Sequence, residues 1–131
     1  MAVTRLLLLA FCMMAIAVQA AATFSLSCES VEKGWPALEL EAVASSDGTH
    51  LNSFKAYIEI EAGTAVEFAD DDVKSFSARK DIALSFTKGT SRDQVQVRVN
   101  VKRISDVELA GTFSVRAGKI MRDGRIRCSA G

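Results

Sequence analysis

The chain has 131 residues, with 16 Lys/Arg against 16 Asp/Glu and a single His and a single Pro. A lone His rules out a multi-histidine metal site, and the near-zero net charge gives no overall attraction for either sign of partner. With no Ser/Gly-rich linker, no low-complexity stretch and no internal repeat, the sequence after its leader reads as one domain.

In chain order, the first 20 residues read as an export signal that is cleaved. Arg5 supplies a short positive region, Leu6 to Val18 an apolar or small-residue stretch of 13, and Val18-Gln19-Ala20 the small residues a signal peptidase inspects. Cleavage is expected after Ala20, with a second site after Ala22. A membrane-spanning helix needs roughly 20 apolar residues, so the stretch is short for an anchor, and nothing later is apolar enough to span. Cys12 follows Phe11 rather than the small residue a lipoprotein signal wants, so it is expected to leave with the signal. The expected organisation is a signal over 1–20 and a single β domain over 21–131, located in the periplasm or outside the cell.

From residue 23 the pattern is alternation with a period of two, the mark of half-buried strands. Phe24, Leu26 and Cys28 form the first apolar face, and Leu38, Leu40 and Ala42 the second. Between them lies Glu32-Lys33-Gly34-Trp35-Pro36, whose Trp35 is either a loop anchor for a partner or, as we expect of a large aromatic, a plug folded over one end. Asp47-Gly48 marks a turn that leads to His50, expected to be a solvated loop residue. Phe54, Ala56, Ile58 and Ile60 make the third face, and Ala62-Gly63 joins it to Val66 and Phe68. Asp70-Asp71-Asp72 reads as a solvated acidic turn, because a calcium loop would need alternating ligands. The apolar spacing of Val66, Ala69, Val73 and Phe76 also fits a short helix near residues 64–79 as the alternative. Ile82, Leu84 and Phe86 follow, then a turn at Lys88-Gly89 and the clearest alternation, Val95, Val97, Val99 and Val101. Phe113 and Val115 come next, Arg122-Asp123-Gly124 reads as a hairpin turn, and Ile126 and Cys128 face inward on the last strand.

Faces that are apolar on one side only belong to antiparallel sheets. The expected fold is all-β, an antiparallel meander of eight or nine short strands, closed as a barrel or folded as a sandwich. Once the leader is gone two cysteines remain, Cys28 and Cys128, 100 positions apart, and in an exported chain they pair as one disulfide that ties the first and last strands. Closing so long a loop is worth about 4–5 kcal/mol in lost unfolded-state entropy. Bringing the first and last strands together favours a barrel, with a sandwich as the alternative.

Charge is divided along the chain. Residues 21–72 hold 11 acids and 2 bases, a net of −9, and residues 73–131 hold 5 acids and 13 bases, a net of +8. In a meander these halves form two sides of the molecule. The basic side is expected to carry Arg98, Lys102, Arg103, Arg116, Lys119, Arg122, Arg125 and Arg127, a candidate binding face for an anionic surface or an acidic protein. Nucleic acid is disfavoured, since no Tyr, Phe or Trp interleaves with those bases for stacking. The competing reading is that acids and bases pair across strands where the chain ends meet.

No nucleophile, general acid/base pair, phosphate loop, cofactor motif or metal-ligand spacing is assembled by the remaining residues. Glu39, Glu41, Glu59 and Glu61 fall at outward positions, without the cleft a glycosidase requires. In size and in its early-strand cysteine the chain resembles, in layout only, the small disulfide-closed barrels of the bacterial lysozyme-inhibitor kind. Val43-Ala44-Ser45-Ser46-Asp47-Gly48 is a poor match to their inhibitory Ser/Ala/Gly loop, and no family is assigned. The expected function is non-catalytic binding. The alternatives are a hydrolase inhibitor acting through a loop end and a small-ligand carrier, the latter disfavoured because five Phe point inward.

Overall fold

Each alternating run becomes a strand. The computed structural model describes residues 23–79 and 81–131, so the expected signal segment lies outside the described residues. The strands are β1 (Thr23–Ser30), β2 (Ala37–Ser45), β3 (Leu51–Glu61), β4 (Thr64–Ala69), β5 (Val73–Ser77), β6 (Ile82–Lys88), β7 (Val95–Arg103), β8 (Glu108–Ala117) and β9 (Ile120–Ala130). They form one antiparallel sheet in the order β4-β3-β2-β1-β9-β8-β7-β6-β5. Hairpins make every ladder except one. That one is β1–β9, in which Cys28 stands opposite Cys128 and the two are disulfide-bonded. Backbone bonds lengthen this ladder at both ends, between Ser25 and Gly131 and from the Val31 N–H to the Arg125 carbonyl.

The sheet curls into a nearly closed barrel whose single seam falls between β4 and β5, not between the first and last strands. The chain changes partner there: β4 bonds to β3 and β5 bonds to β6, with a 3-10 turn at Asp70–Asp72 between them. The acidic run is therefore a tight turn within a strand-to-strand step, and no longer helix forms over 64–79. Hydrogen bonds of side chains and backbone bridge the seam. Asp70 accepts the Phe54 backbone N–H, Lys88 donates to the Glu67 carbonyl at 2.8 Å, and the Ala78 N–H reaches the Gly48 carbonyl at 3.0 Å.

The inward faces make one apolar core, and aromatic rings fill it beside the seam. Phe86 meets Phe54 at a centroid distance of 4.9 Å and Phe68 edge-on at 4.7 Å. Leu109 and Ala44, which stand outside the clean alternating runs, also belong to the buried set.

Two local expectations are corrected. Arg122-Asp123-Gly124 is not a turn: β9 already begins at Ile120, and the chain reverses at Gly118, whose φ is +60°. Gly124 lies inside the strand on the inward side, directly opposite Phe113. A Cβ at Gly124 would fall 2.6 Å from the Phe113 ring, so the glycine makes room for the aromatic. Trp35 is not a plug either. It is 56% exposed, and its indole N–H donates to Glu59 Oε1 at 2.7 Å on the outside of β3. Glu59 offers the indole N–H a polar partner on the outside.

Candidate functional site

Strand order turns the division of charge along the chain into a division around the barrel wall. The strands β4-β3-β2-β1 are contiguous, and so are β9-β8-β7-β6-β5. On β7, β8 and β9 the outward side chains lie in rows set by the register. Gln96, Arg116 and Met121 form one row, and Arg98, Ser114 and Asp123 the next. Asn100, Thr112 and Arg125 follow, then Lys102, Ala110 and Arg127. The middle strand thus supplies a floor of small residues, Ala110, Thr112 and Ser114. Arg98, Asn100 and Lys102 wall it on one side, and Asp123, Arg125 and Arg127 on the other, so one acid stands among the bases. Two strand spacings separate the walls, about 10 Å, and alternate residues along a wall are about 6.8 Å apart. Arg116 closes one end of this basic trough, with Lys119 in the adjoining turn.

Five of the eight expected basic residues are therefore brought onto one outward face, with Lys119 beside it. The other two are not. Arg103 is opposite the buried Leu109 and Arg122 opposite the buried Val115, so both are on the inward-facing set of positions and emerge at opposite ends of the barrel. There Arg103 donates to the Asp106 carbonyl at 2.8 Å, and Arg122 pairs with Glu61 at 3.6 Å.

Acidic and basic halves meet along β1–β9. Arg125 Nε donates to Glu32 Oε1 at 2.6 Å, and the Arg125 backbone N–H donates to Glu32 Oε2 at 3.2 Å. The Arg125 side-chain hydrogen bond, more than Glu32's own backbone N–H, holds the Glu32 carboxyl below its ordinary range. Arg127 stands opposite Glu29, which has Glu39 opposite it on the far side. Two like charges directly opposed cost stability, and Arg127 offsets part of that cost.

Around β1 runs the counterpart of the basic trough. Ser27 floors a groove of about 660 Å³ whose lining includes Glu29, Glu39, Glu41, Glu108 and Tyr57, with the bases Lys55 and Arg127 at its two sides. A second hollow of about 590 Å³ adjoins it over Ser25, Ser53 and Gly131. Tyr57 is 40% exposed on this face. Sequence reasoning placed Glu39 and Glu41 outward but missed the groove. The available signal was the run of small outward residues on the first strand, Ser25 and Ser27, beside glutamates on the next.

A smaller hollow of about 230 Å³ lies at the seam between the start of β3 and β5, with His50, Asp70 and Lys74 among its lining. Beside it Asp47 accepts hydrogen bonds from the Ser45 hydroxyl at 2.6 Å and from the Thr49 hydroxyl and N–H at 2.8 and 3.1 Å. These bonds, led by the Ser45 hydroxyl, lower the Asp47 carboxyl to about 2. His50 is exposed and its Nδ1 lies 3.0 Å from the Thr49 hydroxyl. In the 3-10 turn, Asp72 accepts the Ala69 N–H at 2.8 Å and faces Lys88 at 3.9 Å. Among the described residues, no group of three His, Cys, Asp or Glu side chains is placed to hold a metal ion. Nor is any helix there long and apolar enough to cross a membrane.

Compared with known proteins, the chain matches no family model, no curated protein and no solved structure.

Proposed function

We propose that the chain is an exported, non-catalytic binding protein that docks an anionic partner along the trough on β7, β8 and β9. The observation that carries this reading is the convergence of Arg98, Lys102, Arg116, Arg125 and Arg127 around the floor of Ala110, Thr112 and Ser114. Small floor residues leave Arg98 and Lys102 on one side and Arg127 on the other open to a ligand, while Arg125 is held by Glu32. Like charges held this close raise the local positive potential and the rate of encounter with an anion. Arginine forks also suit carboxylate, sulfate and phosphate oxygens, which accept two parallel hydrogen bonds. The outward residues of these three strands include no aromatic side chain, which favours a glycan, lipid headgroup or acidic protein over single-stranded nucleic acid. The phenylalanine-filled interior favours a partner held on the outside over a carried small molecule. The leader-like first 20 residues and the Cys28–Cys128 bond support an oxidising, exported setting.

A second reading, inhibition of a hydrolase through a loop end, draws on Trp35. The side chain is exposed yet held in place by Glu59, the condition of a preorganised aromatic anchor.

The two readings separate on salt. Oxidised protein beginning at Ala21 is immobilised and exposed to an extract of its own exported compartment and envelope at low and high salt. Capture lost at high salt and lost with R98E/R125E/R127E supports the trough. Capture that resists salt and is lost with Trp35→Ala overturns it in favour of the loop end.

A further inference from the structure

We propose that the protein associates with itself head to tail, the acidic wall of one copy seating in the basic trough of the next. On the outside of β1, β2 and β3 stand Glu29, Glu39, Glu41 and Glu59, with Lys55 the one base among the outward residues of those strands. The next strands around the barrel, β9, β8 and β7, carry the trough of Arg98, Lys102, Arg125 and Arg127, with the Arg98 and Lys102 wall the farther from β2. Where these halves meet within one molecule, their groups already pair, as Arg125 with Glu32, Arg122 with Glu61 and Lys88 with Asp72. The middle of each half has no such partner. Glu39 and Glu41 on β2, and Arg98 and Lys102 on β7, make no ion pair among the described residues.

The shapes correspond as well as the charges. Glu39 and Glu41 share one strand and one face, about 6.8 Å apart, with the serine-floored groove alongside them. A single row of carboxylates fits a trough whose walls are about 10 Å apart. It meets Arg98 and Lys102 on one side and Arg125 and Arg127 on the other. The donor and acceptor surfaces are different surfaces that adjoin along β1–β9, so the contact is heterologous. Each copy keeps one unused surface of each sign, and association continues into a ring or an open chain. Its strength rests on exposed charges and falls with salt. No anionic partner is needed for this contact, so its test uses the protein alone and stands or falls separately from the function proposed above.

Sedimentation velocity on the oxidised protein from Ala21 tests it with two variants, Glu39→Lys with Glu41→Lys, and Arg98→Glu with Lys102→Glu. All four positions are outward and outside the internal ion pairs, and circular dichroism checks that both variants are folded at the temperature of the measurement. At low salt the wild type sediments faster as its concentration rises, and raising salt returns it to the monomer. Each variant alone is monomeric at the same concentrations, because each lacks one of the two surfaces. Mixed in equal amounts, they associate into dimers or larger species, since each supplies the surface the other has lost and the two sets of reversed charges also complement each other. A wild type that stays monomeric at low salt overturns the proposal. So does a mixture of the variants that gives no dimer, or either variant that self-associates as strongly as the wild type.

Discussion

Cys28 and Cys128 stand directly opposite each other on β1 and β9, their Cα atoms 4.0 Å apart, in the one ladder that joins strands distant in sequence. Every other ladder is closed by a loop of the chain itself. The bond therefore holds the step with the largest loop-closure cost, and both sulfurs contribute to the core. Replacing both cysteines by Ser is expected to cost about 2–5 kcal/mol. Thermal unfolding measures it. Hydrogen exchange of the double variant should show protection lost first along β1 and β9, and a loss spread evenly over the barrel would contradict this account.

Gly124 is expected to resist substitution because of Phe113, not because of a turn. Gly124→Ala places a methyl against the ring and should destabilise by about 1–3 kcal/mol. Phe113→Leu on its own should also destabilise. In combination with Gly124→Ala, however, the two penalties should be less than additive, since the smaller side chain leaves room for the methyl. Strict additivity in a denaturant double-mutant cycle would show that the two residues do not compete for the same space.

The seam makes a separate prediction. The Asp70 carboxylate takes the Phe54 N–H that a paired strand would otherwise accept. Asp70→Ala leaves that partly buried donor without its partner and should cost about 1–3 kcal/mol. Asp70→Asn keeps an amide oxygen in the same place and should cost clearly less. Urea denaturation of the two variants distinguishes them, and equal losses would mean that the charge, not the hydrogen bond, matters at the seam.

Acid should loosen the loop around Asp47. Its folded carboxyl is lowered from 3.8 to about 2 by the Ser45 and Thr49 bonds. A lowered folded value stabilises above the unfolded value and is lost as the pH falls through the folded one. The contribution is thus complete above about pH 4 and disappears toward pH 2. Asp47→Asn should lower the melting temperature at neutral pH and flatten the decline over that acid range. A variant whose decline parallels the wild type would remove Asp47 from the acid response.

Much of this architecture is legible in the residues. Strands with one apolar face, such as Val97, Val99 and Val101, can be buried on only one side, so alternation alone specifies antiparallel pairing and an inward set. Two cysteines at the ends of the domain specify which strands close. What alternation does not carry is where a strand changes partner, so the seam at Asp70–Asp72 was not visible. Asp123-Gly124 has the composition of a turn but stands opposite Phe113, and only cross-strand register reveals the second fact. The alternation through Val97, Val99 and Val101 already carries Arg103 onto the inward set, and Arg122 shares the phase of Ile126 and Cys128, so their absence from the outward face was readable. The basic half was readable from charge, whereas its shape as a trough depends on Ala110, Thr112 and Ser114 lying between two arginine-bearing strands.

The most direct measurement is calorimetric titration of the oxidised protein with dextran sulfate, a linear polyanion, at low and at physiological salt. Wild type is expected to bind, with affinity that falls steeply as salt rises. R98E/R125E/R127E is expected to lose binding at least tenfold, whereas Trp35→Ala is expected to bind as wild type does. Equal binding by wild type and the charge-reversed variant, or no binding by wild type at low salt, would contradict the assignment of the β7–β9 trough as the docking surface.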